Sequence, residues 1–504
     1  MVAMTKSTRR VAAFLGVAVI ALAWPAARTV AADTPAAQGR PNVLVIITDQ
    51  QRADMLSCTG NPFVKTPNLD SLARNGARFE RAYCANPVCT PSRFCMFTGR
   101  LPSFIGMENN SHITNAVPQE VFDHAMGFVF RQAGYQTVYG GKVHLPQSGP
   151  KQGWATRYGF DTFLGTDPRD ELAARCDKFL REKHDRPFLL VASFMNPHDI
   201  CYMAINDTRK DPKVGPLAKA RLPHEPPAEA CLDDAMKLPA GVPEKEFFAN
   251  MCPPLPANFG VPQNEIGCRS TLPKYGPPPY NTWVRKNWTE RDWRLHRWAY
   301  ARLTERADGN IGVVLKALRE SGLEEQTLVV FTSDHGEMDG SHQLEQKGTP
   351  YEEDIRVPFL VSWKGKTKAG LVDREHLVSS GLDLIPTICD FAGVPVPSDF
   401  KGCSVRTLAE GREPAAAWRD FLVVENLNTR VVRRVSWKYV AGTGIEPREM
   451  LFDTQHDPGE MQSLANDAHR AQLEEGRRLL QQWCRDHSDR LRERYETHHQ
   501  EKQP

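Results

Sequence analysis

Four short, largely apolar runs stop abruptly at polar residues. NVLVII (42–47) ends at Thr48-Asp49-Gln50, TVY (137–139) leads into GGKVH, FLLVA (188–192) precedes MNPHD, and TLVVF (327–331) precedes TSDHG. Unbroken β-branched runs of this length, bounded by turn residues, read as strands buried on both faces. Between them, Ile311, Val314, Leu315 and Leu318 follow the i, i+3, i+4, i+7 spacing of a helix packed on a sheet. The alternation predicts an α/β fold with a large, mixed, mostly parallel sheet flanked by helices. Sites in such sheets lie beyond the carboxyl ends of the strands. Asp49, His144, His198, Asp334 and His335 all fall at or just past such ends and are expected to converge.

The remaining chain divides around this core. Lys6, Arg9 and Arg10 precede the run VAAFLGVAVIALA, with small residues at Val30 and Ala32. That is the pattern of an export signal over residues 1–32, cleaved near Ala32, and the run is too short for a stable membrane span. A large α/β domain is expected over 33–413. Within it, residues 201–286 are rich in proline and read as an ordered insertion with little regular structure. After residue 413, VVRRVSWKYVAG reads as a strand pair, and Leu473, Leu480 and Trp483 mark a final amphipathic helix, together a smaller α+β subdomain over 414–504. A net charge of +2 over 504 residues leaves no basic excess for nucleic acid. Twelve cysteines in an exported chain predict disulfides, although no CxxC pair supports a zinc knuckle.

Cys89, in NPVCTPSRFCMFTGR (86–100), needs its own account. A packed thiol, a disulfide partner, a metal ligand, a nucleophile and a modified residue are all open readings. The phosphatase loop fails, because it needs arginine six residues on, where Cys95 stands. Pro91 suits the first turn of a helix, which would leave Cys89 at the N-terminus, where free amides attract anions. Arg93 adds a cation one turn later.

Cys89-Thr90-Pro91-Ser92-Arg93, continued to Thr98-Gly99-Arg100, resembles the signature of type I sulfatases, in which the cysteine is oxidised to Cα-formylglycine. NVLVIITDQQRADMLSCTGNP, YGGKVHLP, TSDHGEMDGSHQLEQKGTPYEEDIRVPFLVSWKG and LFDTQHDPGEMQSLA extend the resemblance along the chain. It implies the alkaline phosphatase-like fold and hydrolysis of sulfate esters by a hydrated aldehyde at position 89. One of its hydroxyls attacks sulfur, and the second allows sulfate to leave. The implied metal ligands are Asp49, Gln50, residue 89, Asp334 and His335. Two carboxylates and an amide favour Ca2+, while the nitrogen of His335 leaves Mg2+ or a transition metal open. By the same resemblance Arg93 orients residue 89, Lys142 and His144 lie beside it, His144 assists sulfate elimination, and Lys142, His198 and Lys347 bind sulfate, with His198 and Lys347 assisting the departing alcohol.

The partners implied are a sulfated small molecule or glycan, such as glycosaminoglycan or algal polysaccharide, and a formylglycine-generating maturase. Two rival functions stand beside this one: a phosphonate monoester or phosphodiester hydrolase of the same architecture, and an exported glycan-binding protein without catalysis. Trp288, Trp293 and Trp298 are read as core packing rather than a sugar platform, and His342 as a residue behind the site.

Overall fold

The computed structural model describes residues 39–148, 153–221, 224–267 and 280–487. The expected export signal over 1–32 lies outside them. Among the described residues, no helix is long and apolar enough to cross a membrane.

Eight strands form one sheet among the described residues: β1 (Asn42–Asp49), β2 (Ala77–Phe79), β3 (Gln136–Gly141), β4 (Thr162–Phe163), β5 (Phe188–Pro197), β6 (Thr327–Ser333), β7 (Phe359–Ser362) and β8 (Leu371–Asp373). Their order is β4-β3-β5-β1-β6-β7-β2-β8. The first five run parallel, and β7 is antiparallel to both of its neighbours. β1 sits at the centre, with Val45 opposite Val191 of β5 and Val330 of β6. Its side chains alternate between two cores. Val43, Val45 and Ile47 pack with Phe94, Phe97, Leu384 and Ile388. Leu44 and Ile46 pack with Ile311, Val314, Leu315 and Leu318 of the long helix Glu290–Glu320. Burying each such side chain is worth about 1.5–3 kcal/mol, which is why the strand runs are apolar throughout.

Two expectations need correction. Residues 201–286 are not poor in regular structure, for they carry the helices Cys201–Lys210, Gly215–Arg221, Pro226–Ala235 and Glu244–Asn250. Their prolines stand where a helix tolerates them: Pro226 opens its helix and Pro243 is an N-cap. The expected disulfides are also absent among the described residues, where eleven of the twelve cysteines are all free. The thiols are dispersed through separate cores. Cys176 lies behind one face of the sheet, Cys389 behind the other, and Cys201 and Cys231 in the cluster under the insertion.

The C-terminal subdomain is a four-stranded antiparallel sheet, Phe421–Glu425, Thr429–Arg434, Trp437–Gly442 and Glu449–Asp453. Val423, Val432, Tyr439 and Leu451 face the helix Arg470–Asp486 through Leu473, Leu480 and Trp483. Val424, Val431 and Val440 face Tyr83, Tyr351 and Ile355 of the main body.

Candidate active site

The carboxyl ends of β1, β3, β5 and β6 meet the N-terminus of the helix Cys89–Thr98. A register break between Ile47 and Asp49 shifts the pairing of β1 with β5, so that Asp49 lies opposite Pro197, and Gln50 takes a positive φ of 70°. Such bulges re-aim side chains at strand ends. At the end of β3, Gly141 has φ 99°, and a Cβ there would lie 1.9 Å from the Ser193 carbonyl oxygen. Only glycine allows that approach, which brings the Lys142 N–H to the same oxygen at 2.8 Å.

Cys89 opens its helix, fully buried. Its Sγ lies 3.2 Å from His335 Nε2, 3.3 Å from Lys347 Nζ, 3.7 Å from Lys142 Nζ and 3.8 Å from Asp49 Oδ1. Burial and Asp49 push the thiol up, but Lys142, Lys347 and His335 outweigh them and hold it well below the usual thiol range. Position 89 thus lies in a cationic cradle, where an anionic oxygen would be stabilised.

Beneath it, Arg93 spans the two carboxylates. Its Nε donates to Asp334 Oδ2 at 2.8 Å and its Nη2 to Asp49 Oδ2 at 3.1 Å, while Nη1 reaches Ser193 Oγ and the Lys142 carbonyl at 2.8 and 3.1 Å. Lys142 Nζ also pairs with Asp49. Although burial pushes Asp49 up, Lys142, His198, Lys347 and Arg93 hold it well below the carboxylate range. Burial and the neighbouring Asp49 push Asp334 up to about 6. Two carboxylates forced together in a dry site are what a divalent cation relieves. His335 presents the right face for one. Its Nδ1 lies 2.9 Å from the Gly336 carbonyl, which can only accept, so a proton sits there and Nε2 is the nitrogen turned to Cys89. Burial pushes the ring down, but Asp334 and Cys89 raise it, and Nε2 would offer a lone pair once a cation displaces its second proton. Asp49, Cys89, Asp334 and His335 bring ligand atoms within 4.8 Å of one another.

Gln50 joins this group through a relay. Its Oε1 accepts from Lys347 Nζ at 2.5 Å and from the Cys201 thiol at 3.2 Å, and its Nε2 is held by Glu337. Lys347 keeps its charge: burial opposes it, but Cys89, Cys201, Asp49 and Asp334 hold the ammonium well above its usual range. His198 follows β5, half-buried, and burial together with Lys142 and Lys347 pushes it well below the usual imidazole range, so it is neutral. The Nδ1 atoms of His144 and His198 are buried without a hydrogen-bond partner. No hydrogen bond joins His144 to Cys89 among the described residues. His342 stacks on Tyr351 at 3.9 Å, and Trp288, Trp293 and Trp298 pack in the cores under the insertion.

Four contributors escape a reading of the sequence. Ser193, Glu337, Tyr300 and Cys201 position Arg93 or Gln50, Tyr300 by donating to the Gln50 carbonyl at 2.7 Å. Glu337, two residues past His335, had a signal in its position, whereas Tyr300 lies in mid-helix and had none.

Residues 41–394 match the Sulfatase family, and residues 340–484 match the family described as N-sulphoglucosamine sulphohydrolase, C-terminal. An ulvan-active sulfatase of Formosa agariphila is 30% identical over 84% of this chain and 77% of its own. A Δ4,5-hexuronate-2-O-sulfatase of Bacteroides thetaiotaomicron is 27% identical over 86% of each chain. The solved structure of a 2-O GAG sulfatase superposes with a TM-score of 0.73 at 25% identity, covering 90% of this chain and 94% of the other. The chain belongs to the sulfatase family, in the alkaline phosphatase-like superfamily. It is a sulfuric ester hydrolase.

Proposed function

We propose that this enzyme removes sulfate from carbohydrate through a formylglycine made from Cys89 by a maturase and a divalent cation, outside the cytoplasm. The observation that carries the reading is the cradle at Cys89: Lys142, Lys347 and His335 around one atom at a helix N-terminus, above two carboxylates bridged by Arg93. A sulfate ester repels nucleophiles, so its hydrolysis needs cations on the sulfuryl oxygens, an aligned nucleophile and a proton for the leaving alcohol.

Asp49, Gln50, Asp334, His335 and residue 89 would hold the cation, calcium by the weight of oxygen donors. When bound, it supplies positive charge to the sulfuryl group, and the hydrated aldehyde supplies a hydroxyl nucleophile that can be regenerated. Arg93 fixes residue 89 and the carboxylates in one orientation. Lys142 and Lys347, with ammoniums 3.7 and 3.3 Å from the reacting position, bind sulfate oxygens. Lys347 holds a proton within reach of the leaving oxygen, and neutral His198 offers an N–H to the same side. His144, whose buried Nδ1 has no hydrogen-bond partner, would assist the elimination of sulfate. Carbohydrate is the substrate class because the ulvan-active, hexuronate and 2-O GAG sulfatases that resemble the chain act on sulfated carbohydrate.

The test is the mass of the tryptic peptide Ala82–Arg93 from protein made in its native host, together with sulfate release from a panel of sulfated glycans. A loss of about 18 Da at Cys89, with turnover of a sulfated sugar and none by Cys89→Ser, is the expected result. An intact thiol in protein that still turns over would overturn the formylglycine route. Preference for a phosphate diester over every sulfate ester would overturn the substrate class.

A further inference from the structure

Behind Gln50, on the side away from Cys89, three more ligand groups converge. His296 of the long helix, Glu337 after β6 and Glu345 in the following loop bring one ligand atom each to within 4.8 Å of one another, all buried. We propose that these residues form a second metal centre, separate from the cluster at Asp49 and Asp334, which takes a divalent transition-metal ion of the zinc type.

Hydrogen bonding makes His296 a ligand in waiting. Its Nδ1 lies 3.1 Å from Asp339 Oδ1, and Asp339 is in turn ion-paired with Arg297 at 3.2 Å. A carboxylate only accepts, so the ring proton sits on Nδ1. Nε2, in a residue 1% exposed, has no hydrogen-bond partner. This carboxylate–imidazole pairing is the arrangement that orients histidine toward a metal.

Glu345 is stranger. It is fully buried, beside the carboxylate of Glu337, with no ion-pair partner on either oxygen among the described residues and only the neighbouring Gln346 side chain to favour it by hydrogen bonding. Burial and Glu337 push its carboxyl well above the usual range. A carboxylate buried beside another without a paired cation is costly, and a coordinated cation would remove that cost. Lys347 also favours the ionised form, but its ammonium is turned to Gln50 and Cys89. Glu337 is already oriented: one oxygen accepts from the backbone of Asp339 and Gln346, the other from Gln50 Nε2. One imidazole nitrogen with two carboxylates suits zinc better than calcium, which prefers six or more oxygens.

The ion would pin the 337–347 loop to the long helix. That loop carries both Glu337, which fixes the Gln50 amide, and Lys347, so the second centre would hold the catalytic relay from behind.

Protein carrying Cys89→Ala and Asp334→Asn, which remove ligands of the first cluster, is stripped with chelator and titrated with Zn2+ alone. After desalting it is expected to retain about one zinc per chain, falling roughly tenfold or more on adding Glu345→Gln or His296→Gln. Zinc should raise the melting temperature of the parent and leave that of the Glu345→Gln form unchanged. No retained zinc in the parent, or retention indifferent to both substitutions, would overturn the proposal. Glu345→Gln is a near-isosteric change that the fold should tolerate, so zinc lost by that form reads the missing ligand. Wild-type crystals soaked in zinc give a measurement independent of the variants. Anomalous density among the three side chains supports the centre, and its absence there overturns it.

Discussion

Arg93 carries one charge between Asp49 and Asp334, and all three side chains are fully buried. Removing the guanidinium would take from Asp334 its arginine and leave Asp49 to Lys142, in a site where burial disfavours both carboxylates. Arg93→Ala is therefore expected to cost about 3–5 kcal/mol of unfolding free energy, the usual penalty for breaking a buried ion pair from one side. Arg93→Lys keeps the charge but cannot reach Asp49, Asp334 and Ser193 together, because an ammonium lacks the planar fork. It should regain part of the stability and little of the turnover. Urea unfolding and sulfate release on the same preparations would show that split. Equal recovery of both by lysine would mean that charge alone matters and that the fork does not orient the site.

Among the elements, the long helix Glu290–Glu320 serves both the core and the site. It buries Ile311, Val314, Leu315 and Leu318 against the sheet, while Tyr300 and His296, one turn apart, face Gln50 and Glu337. Its start is set by a reciprocal cap in which Thr289 accepts from the Asp292 backbone and Asp292 accepts from that of Thr289. Thr289→Ala is expected to cost about 1 kcal/mol. The first turns should also exchange amide hydrogen faster, with the turns around Ile311 unchanged; uniform acceleration along the helix would show that its ends are coupled. The sheet-facing half of this helix was legible in the sequence because its spacing matches one face. So were the strands and the polar residues that end them, since a central parallel strand leaves no room for polar side chains until it stops. The insertion was misread because its prolines were weighed as breakers, when Pro226 and Pro243 stand at helix starts. The His296–Glu337–Glu345 cluster left no trace: its members come from two elements, at no motif spacing, and meet only because the loop after β6 folds back on the helix.

For the whole molecule, the question is what holds the C-terminal sheet to the catalytic body. Val424, Val431 and Val440 pack against Tyr83, Tyr351 and Ile355 in one apolar cluster. Within it lies a buried ionic junction. Glu352 of the main body accepts from Arg433 Nε at 3.0 Å and lies 3.8 Å from Lys438 Nζ, which also pairs with Glu460. Burial alone would raise the Glu352 carboxyl, but Arg433, Lys438 and Arg356 overcome it and lower it from an ordinary 4.5 to about 2. A carboxylate depressed in the folded state stabilises the fold fully above its unfolded value and loses that contribution as pH falls through the folded one. The junction should thus be intact above pH 4.5 and weaken progressively toward pH 2. The shift corresponds to roughly 3 kcal/mol. Glu352→Gln should lower stability by about that order at pH 6 and by almost nothing near pH 2, so the gap between variant and wild type closes on acidification. Measuring unfolding free energy of both proteins across that range isolates this one group from the other carboxylates that titrate with it. A gap that stays constant with pH would mean that Glu352 contributes shape and not charge, and that apolar packing alone fastens the two parts.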